Sequence, residues 1–431
     1  MPLLHIVHCI DTEGPLKETL KDTFSRINKI YKTKLKPTKS NLVKIQNRKI
    51  NLGNNMNAIA EMVSPKLLNY NYSWKKLNKM LKIVSSNKFR KITLDSYGNG
   101  WKYSWHCLDH FLKKNPRRKT LGYGKIFNFY KNFLKTNHLK DELNWHFHPL
   151  SINQNPLAAA TSYNNSMGLL TYIMCRRIID HQWFPVVNRP GFHSIRPDSH
   201  LFLEQWIPFD YSNQSHDEIN NQLDLSFNRF GDWSRAPTTW SGYHPDIKDY
   251  QKQGYCNRII FRCLNLGTRL RNIREKDIID AFNQAKKDGK AILAIATHDF
   301  RDFSEDLISF KLLLKKIKNR FKNVNIKFSG AEEAAKDLYD KKNQKLKFKV
   351  SLKKNRVLIN LVSGSIFGAQ PFLAIKDIRN NYYHDNLDVV KPEKIWSYVL
   401  DEQTIEKNKV SKIGVGSAGK YGGYYVKTID L

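Results

Sequence analysis

The feature that most restricts the fold is a rhythm. Apolar runs of strand length alternate with segments of helical spacing, and several of the runs end in ionisable residues. The clearest run, Ala291-Ile-Leu-Ala-Ile-Ala-Thr297, delivers His298 and Asp299 to its end. A run with no polar alternation is what a strand covered on both faces looks like. The opening segment behaves alike, with His5-Ile-Val-His-Cys-Ile10 running into Asp11-Thr-Glu13-Gly14-Pro15. So do Leu143 to Pro149, which carries His146 and His148, and Phe184 to Ser194, which carries Arg189. Lys91 to Leu94 is expected to be a further strand with Asp95 at its C-terminal end, alongside Asp11, Glu13, His146, His148, Arg189 and His298 at theirs. Along an extended chain residues two apart share a side, so His146 and His148 face one way before Pro149 stops the strand.

Helical patterns fall around 16–31, 74–83, 124–137, 166–180, 199–205, 275–287, 303–319 and 331–339. The alternation predicts mostly parallel strands covered by helices, the α/β class. In such folds ligands and catalytic groups gather at the C-terminal strand ends. Near residue 340 the rhythm changes to short strands separated by Gly, Asn and Asp turns. The expected division is therefore a domain over 1–340 and a small, mostly β sandwich-like domain over 341–431. In the second, Tyr382, Tyr383, Trp396 and Tyr398 are expected either to meet a glycan or to fill the sheet core.

Other segments carry weaker signals. His106 and His110 are one helical turn apart and are expected on one helix face, as ligands, substrate contacts or packing groups. The cluster Asn115-Pro-Arg-Arg-Lys119 would meet an anion or face water, and residues 16–52 read as an insertion or flap. Gly231 to Pro245 lacks a regular period and is rich in Trp and Tyr, which suits a binding wall or a core plug.

With 41% hydrophobic and 26% charged residues the composition is globular, and the formal charge of +33 favours anionic partners. No zinc-finger spacing or basic recognition helix is present, so nucleic acid is not an expected partner. Five cysteines, an odd number with Cys9 in a core strand, suit a reducing compartment. No run reaches membrane-spanning length. A cytoplasmic protein is expected, with peripheral attachment to an anionic inner membrane allowed by its charge.

Taken together, Asp11/Glu13, His146/His148, Arg189-Pro-Gly, Trp206 to Ser212, and His298 resemble, in that order, the motifs of the polysaccharide deacetylase superfamily, the metal-dependent NodB-like carbohydrate esterases. The resemblance spans about residues 1–335. It implies a distorted, incomplete (β/α)7-type barrel and one divalent cation, expected to be zinc, held by Glu13, His146 and His148. It further implies Asp11 as base, Arg189 as the group that orients it, and His298 as acid. Two departures stand out: His-x-His-Pro replaces His-x-x-x-His, and Asp-x-Glu opens the family's adjacent Asp-Asp. An exchange of Asp11 and Glu13 between base and ligand is the alternative. Asp95, Trp101, His106, Trp233, Arg235, Trp240 and Tyr243 are the expected substrate contacts. The chain is also similar to deacetylase-like proteins encoded with surface-polysaccharide genes, through Asp11-Thr-Glu-Gly-Pro15, Asp95-Ser-x-Gly-x-Gly-Trp101 and Asp232-Trp-Ser-Arg-Ala-Pro237. This second likeness implies O-antigen or capsule assembly.

The expected activity is hydrolysis of an N-acyl group on a sugar, a sugar nucleotide or a lipid-linked glycan, with Asp299 either orienting His298 or capping the next helix. Two other readings compete. One is a glycan-binding or scaffold protein with the same fold; the other is a phosphoesterase, which would draw a second metal from Asp95, His106 and His110.

Overall fold

A computed structural model describes residues 1–109, 117–118, 121–153, 162–217, 231–339 and 345–431. Eight parallel strands form the larger part: β1 (Leu3–Thr12), β2 (Ser104–Leu108), β3 (Glu142–Phe147), β4 (Val187–Pro190), β5 (Phe209–Asn213), β6 (Ile259–Asn265), β7 (Lys290–His298) and β8 (Asn325–Ser329). They run β2-β3-β4-β5-β6-β7-β1, and pairing of β1 with β2 closes them into a seven-stranded barrel. The ring is thus complete rather than incomplete.

The closure depends on the length of β1. It pairs with β7 from Leu3 to Asp11, with β8 through Leu3 to Val7, and with β2 through Cys9 to Thr12. A strand hydrogen-bonded on both edges and covered on both faces must be apolar or have its polar groups paired. All residues of β1 after Leu3 are buried, with His5 bonded to Ser329 and Asp337 and His8 to Thr297.

After β1 come α1 (Leu20–Tyr31), α2 (Lys39–Gln46) and α3 (Met56–Met62), which share a small core of their own built on Phe24, Ile27, Ile45, Ile59 and Val63. Thr19 and Asp22 close the start of α1 as a reciprocal cap. The expected flap is therefore a packed helical unit. It is tied to the barrel rim by hydrogen bonds from Leu16 to Asn71 and from Lys17 to Arg117. Next, α4 (Trp74–Val84) lays Leu77, Met80, Leu81 and Val84 on the barrel at helical spacing.

The strand expected over Lys91 to Leu94 is absent. Ser86 caps a single turn, α5 (Asn87–Arg90), and Arg90 is clamped by Asp141 at 2.8 and 2.6 Å and by the Trp101 carbonyl at 2.9 Å. The Asp95 carboxylate then accepts the backbone N–H groups of Tyr97 and Asn99 and makes a compact turn. The strand begins later, at Ser104, and takes in His106, which was expected on a helix. All five residues of β2 are buried, and a run without alternation reads as either element. His110 lies outside the described residues.

The remaining helices of the barrel are α6 (Lys125–Thr136), α7 (Met167–His181), α8 (Pro197–Trp206), α9 (Glu275–Asp288), α10 (Ser304–Lys318) and α11 (Ala331–Leu338). The first turn of α11 closes the N-terminal end of the barrel. Glu142 accepts from the N–H groups of Glu332 and Glu333 at 3.0 and 3.1 Å, and Ser104 Oγ accepts from Ala331 N–H at 2.8 Å.

Eight further strands are β9 (Lys347–Lys353), β10 (Arg356–Ser363), β11 (Phe372–Asp377), β12 (Tyr382–Asp385), β13 (Asp388–Lys391), β14 (Ile395–Val399), β15 (Val410–Ala418) and β16 (Tyr424–Asp430). They form two antiparallel sheets, β13-β14-β10-β9 and β12-β11-β15-β16, which share a core including Val357, Ile359, Leu373, Trp396 and Val415. The boundary expected at 340/341 lies outside the described residues. Of the four aromatics expected to meet a glycan or fill the sheet core, Trp396 and Tyr398 are in this core, the Tyr382 hydroxyl reaches Asp180 of α7 at 2.8 Å, and Tyr383 is exposed with its hydroxyl 3.2 Å from Asp377. The second sheet sits against α7 where β15 is bare of side chains. A Cβ on Gly414 would stand 2.6 Å from Ile178, and one on Gly416 2.8 Å from Phe184. Among the described residues no helix is long and apolar enough to cross a membrane.

Candidate metal centre

Strand register brings the ionisable tips together. Asp11 of β1 stands beside His298 of β7 on one side and His106 of β2 on the other, while His146 of β3 stands beside Arg189 of β4. These positions are at the C-terminal rim, where parallel barrels carry their chemistry.

Asp11 is 1% exposed, and Arg189, fully buried, lies against it with Nε 2.8 Å from one carboxylate oxygen and 3.0 Å from the other. Arg189 is fixed in turn by the Tyr211 carbonyl at 2.9 Å and by His193 Nδ1 at 3.2 Å. Burial raises the Asp11 pKa, and the charges of Arg189 and His298 oppose that rise. Glu13 balances differently. Burial alone would raise its pKa, but Arg118, with His148, His298 and His146, brings it below the usual carboxylate range. One Glu13 oxygen takes a hydrogen bond from Arg118, whose other nitrogen bonds the carbonyls of Glu13 and Gly14, both at 2.9 Å. The other oxygen, Oε1, faces His148 Nε2 and His298 Nε2, each at 3.8 Å.

The ligating atoms of Glu13, His146 and His148 lie within 4.8 Å of one another. His146 Nδ1 is 2.5 Å from the Arg189 carbonyl, which can only accept, so the proton sits on Nδ1 and the Nε2 lone pair points into the site. That arrangement is the usual second support of a metal-bound imidazole. His146 Nε2 and His148 Nε2 converge to 2.9 Å. Burial lowers the pKa of both rings to about 4, so at neutral pH each is an uncharged donor. Two neutral imidazoles and a carboxylate fit a zinc-type site with a position left for substrate or water.

His298 is 3.7 Å from Asp11, with its ring 4.8 Å from the Phe300 ring and its pKa lowered by burial to about 4. Asp299 neither orients this ring nor caps α10. Its carboxylate accepts from the N–H groups of Glu13 and Gly14 at 2.8 and 3.0 Å and from the Tyr130 hydroxyl at 2.8 Å, so it pins the turn after β1. Burial raises its pKa to about 6. Backbone shape serves the same end on the other side. A Cβ at Gly191 would fall 2.3 Å from the His148 ring, so only glycine lets the Arg189-Pro-Gly turn pass beneath that ligand. Phe192 and His193 follow with left-handed φ of 54° and 51°, which costs about 1–3 kcal/mol each and marks a constrained segment.

The expected substrate contacts are buried or already engaged rather than open at the site. Asp95 is at the N-terminal half of the barrel, accepting from Phe328 N–H at 3.2 Å. Trp101 is 1% exposed, and its indole donates to His8 in the barrel wall. His106 is sealed beside Asp11, with Nδ1 3.3 Å from the Trp145 carbonyl. Trp233, Trp240 and Tyr243 are 1%, 2% and 4% exposed, a core plug rather than a binding wall. Arg235 is on the surface, held by Asp249.

Arg118 and Tyr130 were not legible as site residues. Arg118 belongs to the basic cluster expected to meet an anion, and the anion it meets is Glu13; Asn115, Pro116 and Lys119 lie outside the described residues. No family model, no curated protein and no solved structure matches this chain. The fold and the site together define a closed parallel barrel with a candidate mononuclear metal centre at its C-terminal rim.

Proposed function

We propose that the protein is a metal-dependent hydrolase that removes an N-acyl group, acetyl or formyl, from a sugar used in surface-polysaccharide assembly. The observation that carries this reading is the placement of Asp11. An arginine-clamped carboxylate stands beside a two-histidine, one-carboxylate donor set, with a further histidine 3.7 Å away. A protein that only bound glycans would have no use for that combination.

Glu13, His146 and His148 are the residues that would hold the cation. When bound, a zinc-type ion supplies Lewis acidity toward an acyl oxygen and makes a water more acidic. Asp11 takes one proton from the attacking water while Arg189 keeps the carboxylate turned toward it. A carbon–oxygen bond forms and the carbon–nitrogen bond breaks. The proton taken by Asp11 is relayed through His298, 3.7 Å away and uncharged at neutral pH, to the departing nitrogen. The water's other proton is lost to solvent as the new carboxylic acid ionises, leaving a free amine and a carboxylate. Each carboxylate has its own arginine, Arg189 for Asp11 and Arg118 for Glu13, and what supports Asp11 as base and Glu13 as ligand is that Glu13 groups with both His146 and His148.

The test is release of acetate or formate by the zinc-loaded full chain from N-acylated sugars, sugar nucleotides and surface glycans. The reading requires turnover by the wild type, and an Asp11→Asn variant that keeps zinc and loses turnover. Zinc binding without release from any N-acylated sugar would favour a binding protein instead.

A further inference from the structure

We propose that Arg271 and Arg301 form an oxyanion-recognition subsite at the mouth of the metal centre, taking a phosphate or carboxylate group carried by the sugar. The identity of the sugar rests on the hydrolase reading; the existence of the subsite does not.

The argument begins with the arginines that are already paired. Arg90, Arg118, Arg177, Arg189, Arg258 and Arg262 each have a carboxylate within 4 Å. Among the described residues Arg271 and Arg301 have none. The loop after β6 folds back so that Asn265 N–H donates to the Arg271 carbonyl at 2.9 Å and Ile273 N–H to the Asn265 carbonyl at 2.8 Å. This holds Arg271 at a strand tip with a left-handed φ of 50°. Its Nη2 donates to the Gly231 carbonyl at 3.2 Å, and its Nη1 is buried without a partner.

Arg301 follows β7, three residues beyond His298. Its guanidinium lies 5.2 Å from the Phe300 ring, and that same ring packs on His298 at 4.8 Å and under Arg118 at 4.9 Å. Arg301 is thus one aromatic ring from the proposed acid. Three acids act on the pair from beyond ion-pair distance, and each is engaged: Asp306 by Lys66, Asp232 by the Ser234 hydroxyl at 2.8 Å and Glu13 by Arg118.

Both side chains are half-buried, with Arg271 Nη1 fully buried, and a guanidinium withdrawn from water with no carboxylate within 4 Å suits a ligand that brings the charge. Burial lowers the pKa of both arginines, and Arg301 is further opposed by Arg269. Arg271 bonds the Gly231 carbonyl, a Cβ on Gly231 would fall 1.9 Å from the His193 carbonyl, and His193 holds Arg189, while Arg301 meets His298 through the Phe300 ring. The two flank the site from the ends of the adjacent strands β6 and β7. Planar guanidinium forks suit compact oxyanions, which they can bind by two parallel hydrogen bonds.

The test is calorimetric titration of the full chain, stripped of metal so that the anion cannot ligate it, at about 0.15 M salt, where exposed charges are screened beyond roughly 8 Å. The probes are N-acetylglucosamine, N-acetylglucosamine 1-phosphate and glucuronate. The phosphate or the uronate should bind saturably and tighter than the neutral sugar. That binding should weaken about tenfold or more in Arg271→Gln and in Arg301→Gln, and remain in the surface control Arg235→Gln. Whichever charged probe binds names the oxyanion. Partial recovery in Arg301→Lys, with melting temperature unchanged, separates lost charge from lost folding. No binding of either charged probe, or equal binding by wild type and the double Gln variant, overturns the subsite. Zinc content is measured on the same proteins. A wild type that takes the anion through these arginines yet holds no zinc would sink the hydrolase reading and leave the subsite standing.

Discussion

The strand tips of the barrel and the aromatic segment 231–245 are both crowded with residues that bind things, and both are buried, yet they are put to opposite use. In the segment, most side chains are engaged by their own surroundings. Trp233 Nε1 donates to the His193 carbonyl at 2.8 Å and the Tyr243 hydroxyl to the Tyr250 carbonyl at 2.7 Å, while Trp240 lies under the Arg262 guanidinium with its Nε1 buried and unpartnered. At the tips, functional atoms converge without being consumed: the Glu13 Oε1, His146 Nε2 and His148 Nε2 atoms point at one locus. Residue type and burial do not separate a plug from a site. What separates them is whether polar atoms end on partners or on a shared open position.

The comparison is sharpened most by removing the proposed base. Asp11→Asn keeps the size and loses the charge, and should lower N-acyl hydrolysis by about 10²- to 10⁴-fold with zinc content unchanged; release of acetate or formate against zinc per chain checks it. In the plug, Trp233→Ala should act only on the fold. A loss of about 3–5 kcal/mol in denaturant unfolding is expected, with KM unchanged in the molecules that remain folded. A selective rise in KM would break the distinction. Arg118→Gln removes a support of Glu13 and should weaken zinc by about 10- to 100-fold without abolishing it, as competition with a chelator would show.

Lys311 provides a pH control that belongs to neither region. It is buried, donating to the Phe89 carbonyl at 2.9 Å, and desolvation, with Arg90 adding, lowers its pKa from 10.5 to about 7. Between these two values the unfolded chain holds a proton that the folded chain has released, so its contribution to stability rises with pH across that window and is least favourable below about 7. The melting temperature of wild type relative to Lys311→Met should accordingly climb from pH 7 to pH 10; a flat difference would show that the lysine does not titrate there. The smallest effect is expected of Arg235→Ala, which should leave melting temperature and zinc content where they were, since its pair with Asp249 is open to solvent.

Much of the barrel was legible because its strands are buried on both faces. Ala291 to Thr297 and Leu3 to Ile10 are apolar for that reason, and the same reason hid β2, where Ser104 to Leu108 has no alternation and His106 and His110 imitate a helical pair. β15 carries a weak sequence signal for a different cause. Its Gly414 and Gly416 weaken the strand signal because α7 needs the space. The pairing of His146 with His148 follows from the two-residue period alone. Arg118 and Asp299 did not follow, since they act on Glu13 from distant segments through contacts that only the closed ring creates. The aromatic segment misled because stacking surfaces and core plugs use the same residues.

The central claim is tested most directly by zinc titration of the purified full chain and its His148→Ala variant, followed by the absorption-edge spectrum of the loaded protein. The account predicts one zinc per chain, coordinated by two imidazole nitrogens and a carboxylate oxygen, with affinity lost in the variant. Equal affinity in the two proteins would contradict it.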